Sequence, residues 1–324
     1  MSPASLLRAA LAFGCAAVLA LPALAQESES EGEGAAASAA SARAEPLPAG
    51  ETVAISVPHA GVFGGTLTMT AQVFRPAGDG PFPVVVFSHG RAPDAVDRVR
   101  LKVGVSHAQL RYWLARGNAV VSPIRPGYGA TGGPDDENSG SHFNNLGRCT
   151  TTPDFRRAAA AAVRSVDATL AWLHTQPWAD VHHVLLVGQS MGGLTSVAAG
   201  AHPAEGVVGY VNFAGGGGGS PTVSPGHSCD PDQLTRLYGQ FGRSTAVPSL
   251  WVYAMNDQYF GPDAPVAWHE SFARGGSRTT FVHAPALADG DGHGLSRHSL
   301  RLWAPYVESF LATIDFPAAS AARH

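Results

Sequence analysis

Residues 52–57 and 66–74 carry strand patterning and are expected to form an antiparallel pair joined through Gly64-Gly65. Residues 83–88 are a continuous apolar run, the pattern of a strand buried on both faces. The apolar spacing turns helical over 99–116 and stops at Gly117, and 119–124 is a further short strand. An alanine-rich helix is predicted over 154–175, with Asp154 as its N-cap after Pro153. The apolar run 184–188 leads into a tight glycine-containing turn, and 193–200 is again helical. Downstream, strands at 206–213, 248–255 and 278–283 alternate with helices at 233–241, 265–274 and 300–314. This alternation predicts an α/β fold, a mostly parallel central sheet of about eight strands with helices on both faces.

The ends of the chain read differently. Arg8 precedes an apolar run over 9–21, which is short for a membrane span, and Ala23-Leu24-Ala25 offers a small-x-small cleavage site before Gln26. Residues 1–25 are therefore expected to be a secretory signal peptide, the alternative being an uncleaved anchor. The implied location is periplasmic or secreted, with no stable membrane insertion after cleavage. Residues 26–49 are rich in Glu, Ser, Gly and Ala with almost no large apolar side chain, the composition of a flexible spacer. Residues 50–324 then form one large domain.

Composition narrows the function classes. The net charge is −4, only 14% of residues are charged, and no stretch is rich in Lys or Arg, which argues against a nucleic-acid partner. Three cysteines are present, and Cys15 lies in the leader. Cys149 and Cys229 remain, and an exported chain with two cysteines suggests one disulfide, two free thiols being the alternative. Such a bond would contribute on the order of 4 kcal/mol in the chain-entropy model. Each cysteine lies in a loop-like stretch, 126–153 and 214–232. Both follow strands expected to flank the glycine turn, so the bond would tie them over the rim of a site there.

The chemistry is concentrated in Gly188-Gln189-Ser190-Met191-Gly192, set between strand and helix. This is the Gly-x-Ser-x-Gly nucleophile elbow in its required context. A serine needs a base, and the base an orienting acid. In chain order, Asp257 follows the strand 248–255, and His293 sits in the loop Asp289-Gly290-Asp291-Gly292-His293-Gly294 after the last strand. Both lie at carboxyl ends of strands, where an open α/β sheet places its site. Ser190, Asp257 and His293 are the expected catalytic triad. His283 lies inside a strand, His298 is expected to start the closing helix, and Asp263 to cap helix 265–274. The oxyanion donors are expected to be the backbone N–H groups of Met191 and Arg91, the latter after the Ser88-His89-Gly90 turn. His89, Gly90 and Tyr128 are candidates for the substrate pocket. For His89 a loop-holding hydrogen bond, and for Tyr128 a structural turn, are the alternatives. The segment Arg125-Pro126-Gly127-Tyr128-Gly129-Ala130-Thr131-Gly132-Gly133 lacks the Gly-Lys-Ser/Thr ending of a P-loop, so no nucleotide is expected. No metal-ligand spacing is evident, and no metal or other cofactor is expected.

With these motifs in place, the chain resembles the α/β-hydrolase superfamily over about residues 50–316, through Phe87-Ser88-His89-Gly90, the elbow, Asp257 and Asp291-Gly292-His293-Gly294. It looks most like exported dienelactone-hydrolase-related proteins, on Trp251-Val252-Tyr253-Ala254-Met255-Asn256-Asp257-Gln258-Tyr259-Phe260 and the Asp-Gly-His-Gly loop. Classical dienelactone hydrolases carry cysteine at the elbow, and this chain carries Ser190. The resemblance implies a serine hydrolase that cleaves a small-molecule or polymer-borne carboxylic ester through an acyl-enzyme. A peptidase or amidase with the same triad is the competing enzyme, and a non-catalytic binding protein the competing class.

Overall fold

The computed structural model describes residues 49–58, 64–288, 290–298 and 300–318. The expectations for the signal peptide and for the spacer, apart from Ala49, lie outside these residues, as does Asp289. The main sheet is built from β1 (Glu51–Pro58), β2 (Thr66–Phe74), β3 (Phe82–Ser88), β4 (Ala119–Ile124), β5 (Ala179–Gln189), β6 (Val207–Phe213), β9 (Ser249–Ala254) and β10 (Thr279–Ala284). A separate two-stranded hairpin is made by β7 (Gly219–Ser220) and β8 (Ser224–Ser228). The eight-stranded order is β1-β2-β4-β3-β5-β6-β9-β10. Only β2 runs against its neighbours, pairing antiparallel with both β1 and β4, and every other pairing is parallel.

Two helical layers explain the apolar runs. The helices are α1 (Ala95–Arg100), α2 (His107–Ala115), α3 (Phe155–Leu173), α4 (Met191–Gly200), α5 (Pro231–Ser244), α6 (Asp263–Ala273), α7 (Leu295–His298) and α8 (Leu300–Thr313). Side chains of a strand alternate between faces. Val84, Val86, Val184 and Leu186 accordingly join one core cluster with residues of α3, α4, α5 and α6. Val85, Phe87, Leu185 and Val187 join the other, with residues of α2 and α8. Because both faces are covered, every residue of β3 is buried.

The differences from the sequence expectation are local. The helix expected over 99–116 is two helices, α1 and α2, with residues 101–106 between them. Gly104 there passes so close to β4 that a Cβ would lie 2.7 Å from the Ser122 hydroxyl, and Ser106 restarts the helix by accepting from the Gln109 N–H at 3.3 Å. The strand expected over 184–188 begins earlier, since Ala179 already pairs with Phe82. Asp154 caps α3 as expected, accepting from the Arg157 N–H at 2.9 Å. Asp263 is not a cap but the first residue of α6, after Pro262. His298 ends α7 rather than starting the closing helix. The stretch 214–232 contains the β7–β8 hairpin, which short, glycine-rich strands do not announce.

Candidate active site

The elbow is built by close backbone approach. Ser190 stands between β5 and α4 with φ 58° and ψ −125°, a conformation non-glycine residues rarely adopt. The turn fits only because its flanks lack side chains. A Cβ on Gly188 would lie 1.9 Å from the Gly192 carbonyl oxygen, and one on Gly192 would lie 1.9 Å from that of Ser88. Ser190 thus sits at the N-terminus of α4, where the helix dipole favours developing negative charge.

Asp257 and His293 are brought to this turn from the ends of β9 and β10. The Asp257 carboxylate is 1% exposed. Its Oδ2 is 3.0 Å from His293 Nδ1, and its Oδ1 accepts from the backbone N–H groups of Tyr259 (2.8 Å) and Phe260 (3.0 Å). An acceptor-only carboxylate on Nδ1 places the ring proton there and leaves Nε2 free to take a proton. The histidine loop is pinned at several points. Asp291 Oδ1 accepts from the N–H groups of His293 (2.9 Å) and Gln258 (2.8 Å), linking it to the Asp257 loop. Asn256 donates to the carbonyls of Leu287 and Gly290, both at 3.0 Å. Gln189, inside the elbow motif, donates to the His293 carbonyl at 3.0 Å and accepts from Arg297 at 3.0 Å. Sequence reasoning missed Asn256 and Gln189 as loop anchors, although both stand next to residues it selected.

Ser190 and His293 line one cavity of about 260 Å³, with Gly90, Arg91, Tyr259 and Arg297 among its other walls. Met191 is the first residue of α4, so no helical carbonyl can meet its N–H. Gly90 abuts Ser190: a Cβ there would lie 3.2 Å from Ser190 Cβ. The Arg91 side chain is turned aside to Asp135, donating at 2.5 and 2.6 Å.

Two pocket expectations are corrected. Gly90 borders the cavity, but His89 and Tyr128 do not; both are buried, 3% and 1% exposed. His89 Nδ1 donates to the Gly90 carbonyl at 2.7 Å, and Nε2 accepts from the Arg125 N–H at 3.3 Å, so the ring is neutral. Burial, reinforced by the Arg125 charge, holds this imidazole well below the usual histidine range. Tyr128 packs edge-on against His89, with ring centres 4.6 Å apart, and donates to Glu137 at 3.2 Å.

Arg125 completes this layer, fully buried with Glu137. Its Nη1 donates to the His89 carbonyl at 2.8 Å, Nη2 donates to Glu137 Oε2 at 3.0 Å, and Nε donates to Glu137 Oε1. Burial pushes the guanidinium's pKa down, and the adjacent Glu137 carboxylate more than reverses this, so the net shift is upward. Two residues twelve apart in an irregular segment carry no sequence signal for such a pair.

Cys149 and Cys229 are joined, with Cα atoms 5.1 Å apart. The bond ties the two expected loops, and neither loop contributes a residue to the cavity wall. Among the described residues, no group of three or more His, Cys, Asp or Glu side chains is arranged to hold a metal ion. No helix among them is long and apolar enough to cross a membrane.

No protein-family model and no curated protein matches the sequence. Solved structures do. The acylaminoacyl peptidase of Pyrococcus horikoshii is similar at TM-score 0.54 and 13% identity, over 86% of this chain and 43% of that one. The present chain therefore spans less than half the length of that peptidase. A putative dienelactone hydrolase from Klebsiella pneumoniae is similar at TM-score 0.50 and 17% identity, over 84% of this chain and 100% of that one. The Pyrococcus furiosus esterase Pf2001 is similar at TM-score 0.51 and 13% identity, over 82% and 91%. With the sheet order above, these likenesses give the chain the α/β-hydrolase fold.

Proposed function

We propose that this chain is an exported serine hydrolase that cleaves carboxylic esters with small acyl groups. The observation that carries this is one cavity bordered both by a serine on a strained elbow and by an imidazole already bonded to a buried carboxylate. In the proposed reaction Ser190 Oγ attacks the ester carbonyl carbon while His293 Nε2 takes its proton. Asp257 steadies the resulting imidazolium. The oxyanion is met by the N–H groups of Met191 and Arg91. The intermediate collapses, the C–O bond to the alcohol breaks, and His293 returns the proton to the leaving oxygen. Water then repeats the sequence on the acyl-enzyme and releases the acid. No cofactor enters the scheme.

The small cavity supports a short acyl group, whereas a peptidase needs a run of subsites beside the scissile bond. Export is supported by the pattern of residues 1–25 and by the joined cysteines. The test is labelling by a fluorophosphonate probe, together with turnover of p-nitrophenyl esters from acetate to octanoate, by wild type and Ser190→Ala. Labelling and short-chain turnover that vanish in the variant are expected. Peptide p-nitroanilides cleaved faster than any ester would transfer the assignment to a peptidase. A folded wild type that neither labels nor turns over would refute a hydrolase.

A further inference from the structure

We infer that Tyr259 is a positioning residue for the His293 imidazole, with the disulfide-anchored β7–β8 hairpin packed against its backbone. This rests on the serine-hydrolase reading of the same site. The Tyr259 ring lies flat on the His293 ring, with centres 4.0 Å apart and planes 25° from parallel. Phe260 meets the same imidazole edge-on, with centres 5.2 Å apart and planes 79° apart. One hydrogen bond from Nδ1 to Asp257 fixes a point on the imidazole but leaves a pivot about that bond. A flat aromatic ring against the imidazole face closes that pivot, and Phe260 closes a second direction. The same residue also orients the acid, because the Tyr259 N–H donates to Asp257 Oδ1 at 2.8 Å. Tyr259 therefore touches both partners of the pair and the cavity wall.

The hairpin packs against the tyrosine's backbone and the root of its side chain. Gly219 lies against Tyr259 so closely that a Cβ would be 2.7 Å from its carbonyl oxygen and 2.8 Å from its Cβ. The Gly226 N–H donates to the Gln258 carbonyl at 2.7 Å. The hairpin is closed at its base by the Cys229 N–H on the Gly218 carbonyl at 2.8 Å, and Cys229 is joined to Cys149. The glycine run in this stretch thus has a use: it lets a backbone strand pass where any side chain would displace the tyrosine. Burial, followed by the nearby Asp291 charge, raises the Tyr259 phenol, so it stays neutral and acts through its ring face rather than as an acid.

The experiment compares wild type, Tyr259→Leu, Tyr259→Phe and His293→Ala by kinetics on p-nitrophenyl acetate and by proton NMR. The NMR readout is the downfield Nδ1–H resonance of an imidazole bonded to a carboxylate, assigned by its loss in His293→Ala. Tyr259→Leu should lower kcat by about tenfold or more, with KM changed far less, and broaden the resonance by faster exchange. Phenylalanine at 259 should rescue both readouts, since it restores the ring without the hydroxyl. A leucine variant with wild-type kcat and a sharp resonance would overturn the proposal. So would a phenylalanine variant as impaired as leucine, or a wild type without the resonance. If the wild type labels with no fluorophosphonate and cleaves no ester, the hydrolase reading fails, and the resonance alone still decides the role of Tyr259.

Discussion

The Arg125–Glu137 pair offers the sharpest test of how the site is supported. Replacing Glu137 by alanine leaves a guanidinium that is 0% exposed without its counter-charge. Breaking a buried ion pair in this way costs about 3–5 kcal/mol, because the stranded charge keeps its desolvation penalty and loses its partner. Two interactions made by Glu137 go at once: the bidentate contact with Arg125 and the bond from Tyr128. For a domain of this size each kcal/mol lowers Tm by about 2–4 °C, so a fall of roughly 6–20 °C is expected. Glu137→Gln isolates the charge, since it keeps the size and one acceptor, and should retain most of the loss. The measurement is thermal and urea unfolding followed by circular dichroism near neutral pH. Activity should fall as well, at temperatures where the variant remains folded. Arg125 holds the His89 carbonyl and ring, and the residues just after them carry the proposed oxyanion donor Arg91. A loss in kcat on the order of tenfold, with KM less affected, is expected from a misaimed donor. A Glu137→Ala protein that melts within about 2 °C of wild type would refute this reasoning, since no buried charge of this kind can be stranded so cheaply.

Other expectations follow from the same structure. Gly192→Ala places a methyl group 1.9 Å from the Ser88 carbonyl oxygen, a backbone contact that cannot swing away. It should cost about 3 kcal/mol or more, whereas Gly276→Ala, at φ 90° with open space around it, should show only the left-handed backbone penalty of about 1–2 kcal/mol. Equal urea midpoints for the two variants would remove the steric account. Cys149→Ser opens a bond that spans a sequence separation of 80 residues. Chain entropy then predicts a loss of about 4.5 kcal/mol in unfolding free energy, and a non-reduced mass map showing two free thiols in wild type would dispose of the premise. Acid should destabilise the fold through two histidines. Burial, then Arg125, depresses His89, and burial depresses His269 to about 4. The unfolded chain, titrating near pH 6.5, then binds more protons than the native one. Stability contributed by the neutral rings is therefore present above about pH 6.5 and lost as pH falls toward 4. Urea midpoints that stay flat or rise from about pH 7 to 5 would contradict this sign.

The sheet was legible because burial on both faces writes continuous apolar runs, as in β3, and because the elbow has a fixed local grammar. Asp257 and His293 were legible because strand ends point to one edge of the sheet, and that edge is where the structure places them. The same rule misled for His89 and Tyr128. A strand end fixes which edge a residue occupies, but not whether its side chain turns up to solvent or down into the layer beneath. The break between α1 and α2 carried signals that helical spacing overrode: Gly104, which passes close to β4, and Ser106, which caps the next helix. The Arg125–Glu137 pair, the ring of Tyr259 and the β7–β8 hairpin were not legible. Each depends on contacts between segments whose separation follows no period.

These hidden contacts divide the labour of the site. The elbow is held by backbone against backbone, and only the absence of side chains at Gly188 and Gly192 is required of the sequence. The loop beside it, residues 89–91, has no such grammar and is held by charged side chains: Arg125 on the His89 carbonyl, and Asp135 on Arg91. The histidine loop combines several devices, among them the Asp291 carboxylate on the His293 and Gln258 N–H groups. It is also fixed by the side-chain amides of Asn256 and Gln189 and by the rings of Tyr259 and Phe260. Three kinds of interaction therefore meet at one cavity, and they should fail under different conditions. Low pH acts first on the charged layer, through His89. Reduction of Cys149–Cys229 acts on the hairpin packed against Tyr259, and salt should leave both the elbow and the histidine loop unmoved, since neither relies on an exposed ion pair.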